Sequence, residues 1–171
     1  MEGEIVQGKK IENSQITIVL QMTAQDANLA GNVHGGVVMK QIDSTAGIVA
    51  ARHASCNVVT ASIDRLDFYN PVYIGDLLTL KACVNLVGKT SIEVGVRVEA
   101  ENFLTGEVRH TASAYLTFVA LGDQGRPTQV PPLILESKEE IRRNQEAKAR
   151  RKMRLAEKIR EKKIQTLQDK E

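Results

Sequence analysis

The residues of this chain best suited to chemistry lie close together, between positions 31 and 43. Asn32, His34 and Gly36 precede a long apolar run, and Asp43 lies within that run, seven residues after Gly36. If the run is a helix, the N–H groups at its start lack partners and can bind an anion or a developing oxyanion. Seven residues make about two helical turns, so Asp43 is expected on the same face as Gly36. This arrangement predicts a site in which Asp43 acts as a general base or as a nucleophile.

Each of these residues also has a purely structural explanation. A carboxylate inside an apolar helix is unfavourable unless it is paired, and Asp43 can be a buried residue held by hydrogen bonds. Asn32 can serve as a turn or N-cap residue, and His34 can cap the helix or pack against it. His53 and His110 lie far from His34 in the sequence, so no metal site is expected. The residues by themselves therefore leave the use of the site open.

The composition is that of a globular protein, since 42% of the 171 residues are hydrophobic. No run approaches the roughly 20 apolar residues of a membrane-spanning helix, and the start of the sequence lacks the apolar segment of a secretory signal. The two cysteines, Cys56 and Cys83, are isolated in the sequence and are expected to be reduced thiols. These features predict a cytoplasmic protein without a membrane span.

The charge changes abruptly near Pro131 and Pro132. Residues 1–135 include 10 basic and 13 acidic side chains, whereas residues 136–171 include 13 basic and 8 acidic side chains. The second part is rich in good helix formers, and acidic residues interrupt its basic runs, so we expect a solvated helix rather than a nucleic-acid-binding arm. The predicted domains are therefore residues 10–135 and a charged helical extension, residues 136–171.

The order of the predicted elements indicates an α+β fold. A strand, a long helix and four further strands are expected over residues 14–20, 37–53, 57–68, 77–87, 91–101 and 107–121. The four strands after the helix are expected to form a consecutive antiparallel meander that wraps around the helix and buries its apolar residues. The other face and the edges of such a sheet need partners, so a homo-oligomer is expected.

Four longer runs of sequence resemble a known protein family. The runs are DANLAGNVHGGVVMKQIDSTAGIVAARH, VVTASIDRLDFYNPVYIGD, GKTSIEVGVRVEAENFLTG and TASAYLTFVALGDQGRPTQVPPL, within residues 14–135. They resemble the hotdog-fold acyl-CoA thioesterases, in the branch of YciA and the brain-type cytosolic acyl-CoA hydrolase. The resemblance implies a hotdog fold, which is an antiparallel sheet wrapped around one long central helix. It also implies hydrolysis of acyl-CoA to free fatty acid and coenzyme A, with no cofactor.

The resemblance assigns roles to the residues of the predicted site. In the branch of the family with two hotdog repeats, one repeat supplies a catalytic asparagine from the G-N-x-H-G-G loop, and the other supplies a catalytic aspartate from its helix. This chain has one repeat and both residues, which implies a homodimer whose sites pair Asn32 of one subunit with Asp43 of the other. The backbone N–H of Gly35 or Gly36 would polarise the thioester carbonyl, and His34 would support the site. Family members commonly assemble as trimers of such dimers.

The phosphates of coenzyme A require cationic or donor groups. The turn formed by Lys89, Thr90 and Ser91 offers an ammonium, two hydroxyls and backbone N–H groups, although it can equally be a plain hairpin connection. Arg65 and Arg126 are further candidates, because guanidinium groups suit phosphates. We therefore expect coenzyme A to contact some of these five residues.

Two other functions are compatible with the sequence. A non-catalytic acyl-CoA-binding regulator could have the same fold, but no helix-turn-helix pattern is visible at either end of the sequence. A hotdog hydratase or dehydratase would need two groups that move protons at neighbouring carbons, which His34 and Asp43 could supply. Release of coenzyme A, measured beside hydration of enoyl-CoA, distinguishes the three functions.

Overall fold

The computed structural model describes residues 7–168. Its helices and strands, in chain order, are β1 (Lys9–Lys10), β2 (Ile16–Gln21), α1 (Gly35–Ala54), β3 (Asn57–Phe68), β4 (Leu77–Val87), β5 (Ser91–Asn102), β6 (Glu107–Leu121), β7 (Leu133–Ile134) and α2 (Lys138–Gln168). Three single-turn 3₁₀ helices occupy Ile11–Asn13, Ala24–Asp26 and Asp123–Gly125. The chain divides into two compact units between Leu135 and Glu136, and all seven strands belong to the first unit.

The first unit has the predicted α+β hotdog architecture. Five strands form an antiparallel sheet in the order β2-β4-β5-β6-β3, and α1 contacts every one of them, so the sheet curls around this helix. The prediction of a consecutive four-strand meander is wrong in one respect, because β3 lies beside β6 and not beside β4. Residues 69–76 therefore connect the edge strand β3 to β4, which lies on the other side of β5 and β6 in the sheet.

A second, two-stranded sheet joins the two ends of this unit. β1 pairs in parallel with β7, with Lys9 opposite Leu133 and Lys10 opposite Ile134. The Lys9 ammonium also donates to the carbonyls of Arg52 and His53, at 3.2 and 2.9 Å, and so binds the C-terminal end of α1. Two-residue strands have no periodicity, which is why the sequence analysis did not predict this sheet.

The central helix α1 places its apolar residues against the sheet. Val38, Ile42, Ala46 and Val49 recur at three- and four-residue intervals and are almost fully buried. The small residues between them let the strands approach the helix closely. Asp43 follows Ile42 at the flank of this buried stripe and is half-buried.

Strand β3 forms one edge of the sheet. Within residues 7–168 it pairs only with β6, and two irregularities in the register interrupt that pairing. Val59 and Ile63 of β3, and Ile48 of α1, are each close to half exposed, at 44%, 45% and 45%. A strand edge without a partner, beside apolar surface, is a site where a strand of another chain can add.

Helix α2 is a charged element stabilised along its own surface. The Glu139 carboxylate accepts hydrogen bonds from Arg142 and Arg143, at 2.6 and 3.0 Å, and Arg142 also pairs with Glu146. The Arg142 guanidinium beside Glu139 lowers the pKa of that carboxyl to about 2. Within the described residues, no helix combines the length and the apolar character that a membrane span requires.

The buried His53 gives a prediction about stability and pH. Its Nε2 lies 3.0 Å from the Pro131 carbonyl oxygen, and its side chain is fully buried. Burial lowers the pKa of His53 below its ordinary value of about 6.5, while the Pro131 carbonyl opposes that change and Lys9 adds to it. The unfolded chain therefore binds a proton at His53 more readily than the folded chain does. The contribution of His53 to the free energy of unfolding should be fully present above about pH 6.5 and should fall as the pH drops towards the folded pKa.

The variant His53→Gln should lack this fall. We expect the urea midpoint of wild type to decrease more than that of His53→Gln between about pH 7.5 and about pH 5, at one fixed protein concentration. Parallel curves for the two proteins would show that His53 does not carry the pH dependence.

Candidate active site

Asn28 holds the loop between β2 and α1 in shape. Its side-chain Oδ1 accepts hydrogen bonds from the backbone N–H groups of Ala30 and Asn32, at 2.9 and 3.1 Å, and its own N–H donates to the Asn32 carbonyl at 2.7 Å. Since backbone N–H groups can only donate, the carboxamide oxygen must face them. The Nδ2 amino group of Asn28 then has no acceptor among the described residues and is available as a donor.

His34 is the N-cap of α1. Its backbone is extended, and its Nδ1 accepts a hydrogen bond from the Gly36 N–H at 2.8 Å. A Cβ atom at Gly36 would lie 3.0 Å from that nitrogen, so this close approach favours glycine. The capping alternative for His34 is therefore the one that the structure contains.

This cap changes the expectation for Gly36. Its N–H already has an acceptor, so it is not free to polarise a substrate carbonyl in this arrangement. The Gly35 N–H, one residue earlier, has no acceptor among residues 7–168 and lies at the positive end of the helix dipole. The Gly35 N–H is thus the free donor at this helix start, whereas the Gly36 N–H is occupied.

An open cleft of about 360 Å³ lies at this end of the molecule. Asn28, Asn32 and Gly35 all line this cleft, so the residues that carry the donor groups described above border a single space. The other lining residues are mainly apolar or aromatic and come from the loop before α1, from α1, from the end of β3 and from the loop that follows it: Val33, Val38, Phe68, Tyr69, Asn70, Pro71 and Val72. The cleft therefore combines donors at a helix start with apolar walls.

Asp43 lies elsewhere in the chain. One carboxylate oxygen, Oδ1, accepts a hydrogen bond from the Thr60 hydroxyl at 2.8 Å, and Asp43 does not line the cleft. Eight residues of helix separate it from Gly35, which is about 12 Å along the axis. Thr60 and Phe68 lie near opposite ends of β3, roughly 25 Å apart along the strand. One chain therefore does not bring Asp43 to the cleft.

The turn between β4 and β5 is a tightly bonded hairpin. The Gly88 N–H donates to the Ser91 carbonyl at 2.7 Å, while the carbonyls of Lys89 and Thr90 accept from the N–H groups of Val130 and Ala120. The Lys89 side chain is exposed. Through the strand register, this turn lies at the same end of the sheet as Thr60, because Ser91 is opposite Val119 and Val119 is opposite Val59.

The two arginine candidates come from other parts of the chain. Arg65 is paired with Asp67, and its side chain is 71% exposed. Arg126 is exposed in the loop after β6. Arg126 belongs to the segment that continues to Val130, whose N–H donates to the Lys89 carbonyl at 3.0 Å, whereas Arg65 belongs to β3.

Two residues with evident functional geometry were missed by the sequence analysis. Asn28 lies only four residues before Asn32, and the loop composition does not distinguish the two. The available signal was the residue type, because an asparagine side chain often accepts a hydrogen bond from the backbone N–H two residues later, in an Asx turn. Thr60 gave no signal, because its contact with Asp43 joins different elements. Within the described residues, no group of three or more His, Cys, Asp or Glu side chains is placed to hold a metal.

Comparison with known proteins gives one family and several relatives. Residues 30–106 match the family described as the thioesterase superfamily. The human cytosolic acyl coenzyme A thioester hydrolase is 36% identical over 156 residues, which cover 86% of this chain and 41% of the relative. The chain therefore spans about two fifths of the length of that curated relative.

Solved structures of relatives have the same fold over nearly their whole length. A hexameric acyl-CoA thioesterase, solved without ligand, is 38% identical and superposes with a TM-score of 0.86, covering 89% of this chain and 97% of the other. The acyl-CoA hydrolase of Staphylococcus aureus, solved with butyryl coenzyme A and coenzyme A, is 36% identical, with a TM-score of 0.84 and coverage of 91% and 95%. Alanine variants of that hydrolase at an asparagine, an aspartate and a threonine have also been solved.

The cap formed by His34 leads to a prediction about stability. The variant His34→Ala removes the acceptor of the Gly36 N–H and should lower the free energy of unfolding by about 1 kcal/mol, whereas His34→Asn, which supplies another acceptor, should retain most of it. Thermal unfolding of both variants measures the difference. Equal losses in the two variants would mean that the imidazole stabilises the loop by packing and not by capping.

Proposed function

The chain belongs to the thioesterase superfamily, among its hotdog-fold acyl-CoA hydrolases, and we propose that it hydrolyses acyl-CoA to a free carboxylic acid and coenzyme A. The observation that carries this proposal is the pair of half-sites at opposite ends of β3. One half-site offers two free donors, Asn28 Nδ2 and the Gly35 N–H, to a carbonyl oxygen in the cleft. The other offers the Asp43 carboxylate, oriented by Thr60.

We propose Asn28, rather than Asn32, as the asparagine of the site. In the S. aureus hydrolase, the asparagine replaced by alanine lies fifteen positions before the replaced aspartate, and the threonine lies seventeen positions after it. Asn28, Asp43 and Thr60 have the same two spacings in this chain, whereas Asn32 lies eleven positions before Asp43. Asn32 lines the cleft, and its N–H fixes the Asn28 carboxamide, so it has a supporting place in this proposal.

The two half-sites would meet across a dimer. If two copies pair β3 against β3 in antiparallel fashion, a two-fold axis near the middle of the strand places Thr60 of one copy beside the Phe68 end of the other. Asp43 then reaches the cleft that contains the other copy's Asn28. The same pairing satisfies the open edge of β3 and covers Val59.

The names of the relatives support proposals about the higher assembly of this chain and its location in the cell. One solved relative is hexameric, and we propose a trimer of these dimers for this chain. The human relative is named as cytosolic, and we propose the cytoplasm as the location of this protein. Its partners in the proposal are acyl-CoA and further copies of itself.

The chemistry proposed for the completed site is addition and elimination at the thioester carbon. Asn28 Nδ2 and the Gly35 N–H bind the carbonyl oxygen and stabilise the negative charge that develops on it. Asp43 removes a proton from water as the water oxygen bonds to the carbonyl carbon. The C–S bond then breaks, and coenzyme A leaves as a thiolate that takes up a proton. An attack by Asp43 itself, through an anhydride, uses the same groups and remains the alternative.

The position of His34 argues against hydratase chemistry. Its Nδ1 is engaged with the Gly36 N–H, and Asp43 of the same chain is about two helical turns away. His34 therefore serves as the helix cap, and its capping nitrogen is not free to accept a proton from a substrate. A thiolate leaving group needs no strong general acid, so the hydrolase mechanism does not require this histidine.

The shared site can be tested by mixing two inactive variants. Asn28→Ala and Asp43→Ala should each lower kcat strongly while KM changes modestly, because both groups act mainly in the transition state. In an equal mixture with free subunit exchange, half of the dimers are mixed, and each has one intact site, so activity should recover to about a quarter of wild type. Release of coenzyme A, followed with a thiol reagent, measures the recovery.

The control for this experiment is a mixture of Asp43→Ala with the double variant Asn28→Ala/Asp43→Ala, in which no site can be complete. Asn28→Asp is a second control, since it keeps the acceptor for the Ala30 and Asn32 N–H groups and replaces the donor with a carboxylate oxygen, which would repel a developing oxyanion. A mixture of the two single variants that stays inactive, although mass spectrometry shows exchanged subunits, would contradict a site built from two chains.

The exposed Lys89 gives a separate prediction about coenzyme A. If its ammonium contacts a phosphate, Lys89→Ala should raise KM and leave kcat nearly unchanged, and the rise should shrink as salt is added. Lys81→Ala is a matched control, because Lys81 is also exposed but is paired with Glu99. Equal KM values for Lys89→Ala and wild type at low salt would identify the turn as a plain hairpin.

A further inference from the structure

A largely buried ion pair joins β6 to the loop between β3 and β4. Arg109 of β6 donates from Nη2 to Oδ2 of Asp76 at 2.6 Å, and the side chains are only 16% and 4% exposed. The same carboxylate oxygen accepts a hydrogen bond from the Tyr73 N–H at 2.9 Å. The Tyr73 ring covers the guanidinium, with 5.0 Å between the Arg109 Cζ atom and the ring centroid. Three groups from the end of one loop and from β6 are thus fixed to one another.

The segment that carries Asp76 holds both ends of the loop that carries Asn28. At the first end, the Met22 N–H donates to the Asp76 carbonyl at 2.9 Å, and the Gly75 N–H donates to the Met22 carbonyl at 2.8 Å. At the second end, the Val33 N–H donates to the Val72 carbonyl at 2.9 Å. Residues 72–76 therefore act as a support on which the loop of residues 22–33 rests.

The contact reaches the functional carboxamide through Asn32. Asn32 and Tyr73 are paired as an antiparallel bridge, so the residue stacked on Arg109 is also the backbone neighbour of Asn32. The Asn32 N–H in turn donates to Asn28 Oδ1. A continuous set of contacts thus runs from Arg109 through Asp76, Tyr73 and Asn32 to Asn28.

Stability alone does not account for this pair. Removing two charges from water is unfavourable, and buried ion pairs often contribute no more than a well-packed apolar pair of the same volume. The Arg109 Nε is also buried, with no hydrogen-bond partner among the described residues, which adds to the unfavourable part. A buried pair of charged side chains that bond to each other instead fixes both side chains in one arrangement.

We propose that Arg109 and Asp76 are positioning residues that hold the Asn28 carboxamide in the orientation needed at the thioester. This inference rests on the proposed function, since it assigns an effect on the same site. A displacement of about 1 Å in a catalytic group can lower a rate by about 100-fold. The arginine therefore acts on turnover through Asn28 without contacting the substrate.

The test measures whether the effect of Arg109 depends on Asn28. Arg109→Gln in the wild-type protein should lower kcat by about tenfold or more, with a change in KM below about threefold. The same substitution in the Asn28→Ala protein should lower kcat by less than about twofold, because the group being positioned is already absent. An equal loss in both backgrounds would overturn the inference.

A matched control is available on the outer face of the sheet. Arg97 pairs with Glu99 at 2.8 Å, as an arginine–carboxylate pair that is more exposed, at 53% and 17%, and within residues 7–168 it has no hydrogen bond to the loop of residues 22–33. Arg97→Gln should leave kcat unchanged in both backgrounds. A loss with Arg97→Gln as large as that with Arg109→Gln would show a general effect of removing an arginine, and would also overturn the inference.

A second variant covers the case in which Arg109→Gln does not fold. Tyr73 is 46% exposed, so Tyr73→Leu should fold while it removes the ring that covers the guanidinium. We expect it to lower kcat about threefold in the wild-type background and to have no effect in Asn28→Ala. No change in kcat for Tyr73→Leu, together with melting at the wild-type temperature, would count against the inference.

The outcomes also separate this inference from the proposed function. If Asn28→Ala itself retains the wild-type kcat, the assignment of the site is wrong. If Asn28→Ala is strongly impaired and Arg109→Gln adds its full effect to that loss, the site stands and only the positioning role is wrong.

Discussion

The packing of α1 inside the curled sheet is the constraint on which the rest of the structure depends. The helix contacts all five strands, so its start and its middle are held at fixed places relative to β3. This rigidity keeps Asn28 and Asp43 of one chain apart, with about 12 Å of helix between Asp43 and the cleft. A flexible scaffold could bring the two groups together within one chain, whereas in this one the proposed site needs a second copy.

Both proposed functional side chains are fixed on one side and free on the other. The Asn28 carboxamide uses its oxygen to organise its own loop, which leaves the amino group as the part that can meet a substrate. The Asp43 carboxylate uses Oδ1 to accept from Thr60, which leaves Oδ2 for water. Local hydrogen bonding thus selects which chemical role each group can perform.

The sequence predicted the long elements well because their periodicity extends over many residues. Three of the four long strands have the predicted bounds, and α1 begins only two residues earlier than expected, where His34 caps it. The place of β3 beside β6 was not predictable, since pairing across a curled sheet depends on three-dimensional shape. Strand bounds are local properties, and strand neighbours are not.

The site was predicted in part for the same reason. Asp43 and the Gly-rich helix start were found because an acidic residue in an apolar helix and a run of glycines are visible in sequence. The choice between Asn28 and Asn32 depends on which side chain bonds to which backbone group, and both asparagines have the same local composition. The occupied Gly36 N–H was equally hidden, because it follows from one side-chain orientation of His34.

The open edge of β3 has a consequence for how the proposed activity depends on concentration. If every site needs two chains, an isolated chain holds only half-sites, and its turnover is zero however well it is folded. The activity per chain would then follow the fraction of associated chains and fall on dilution below the dissociation constant of the dimer. The association equilibrium of two chains at this strand edge would thus control the rate of hydrolysis, with no allosteric ligand involved.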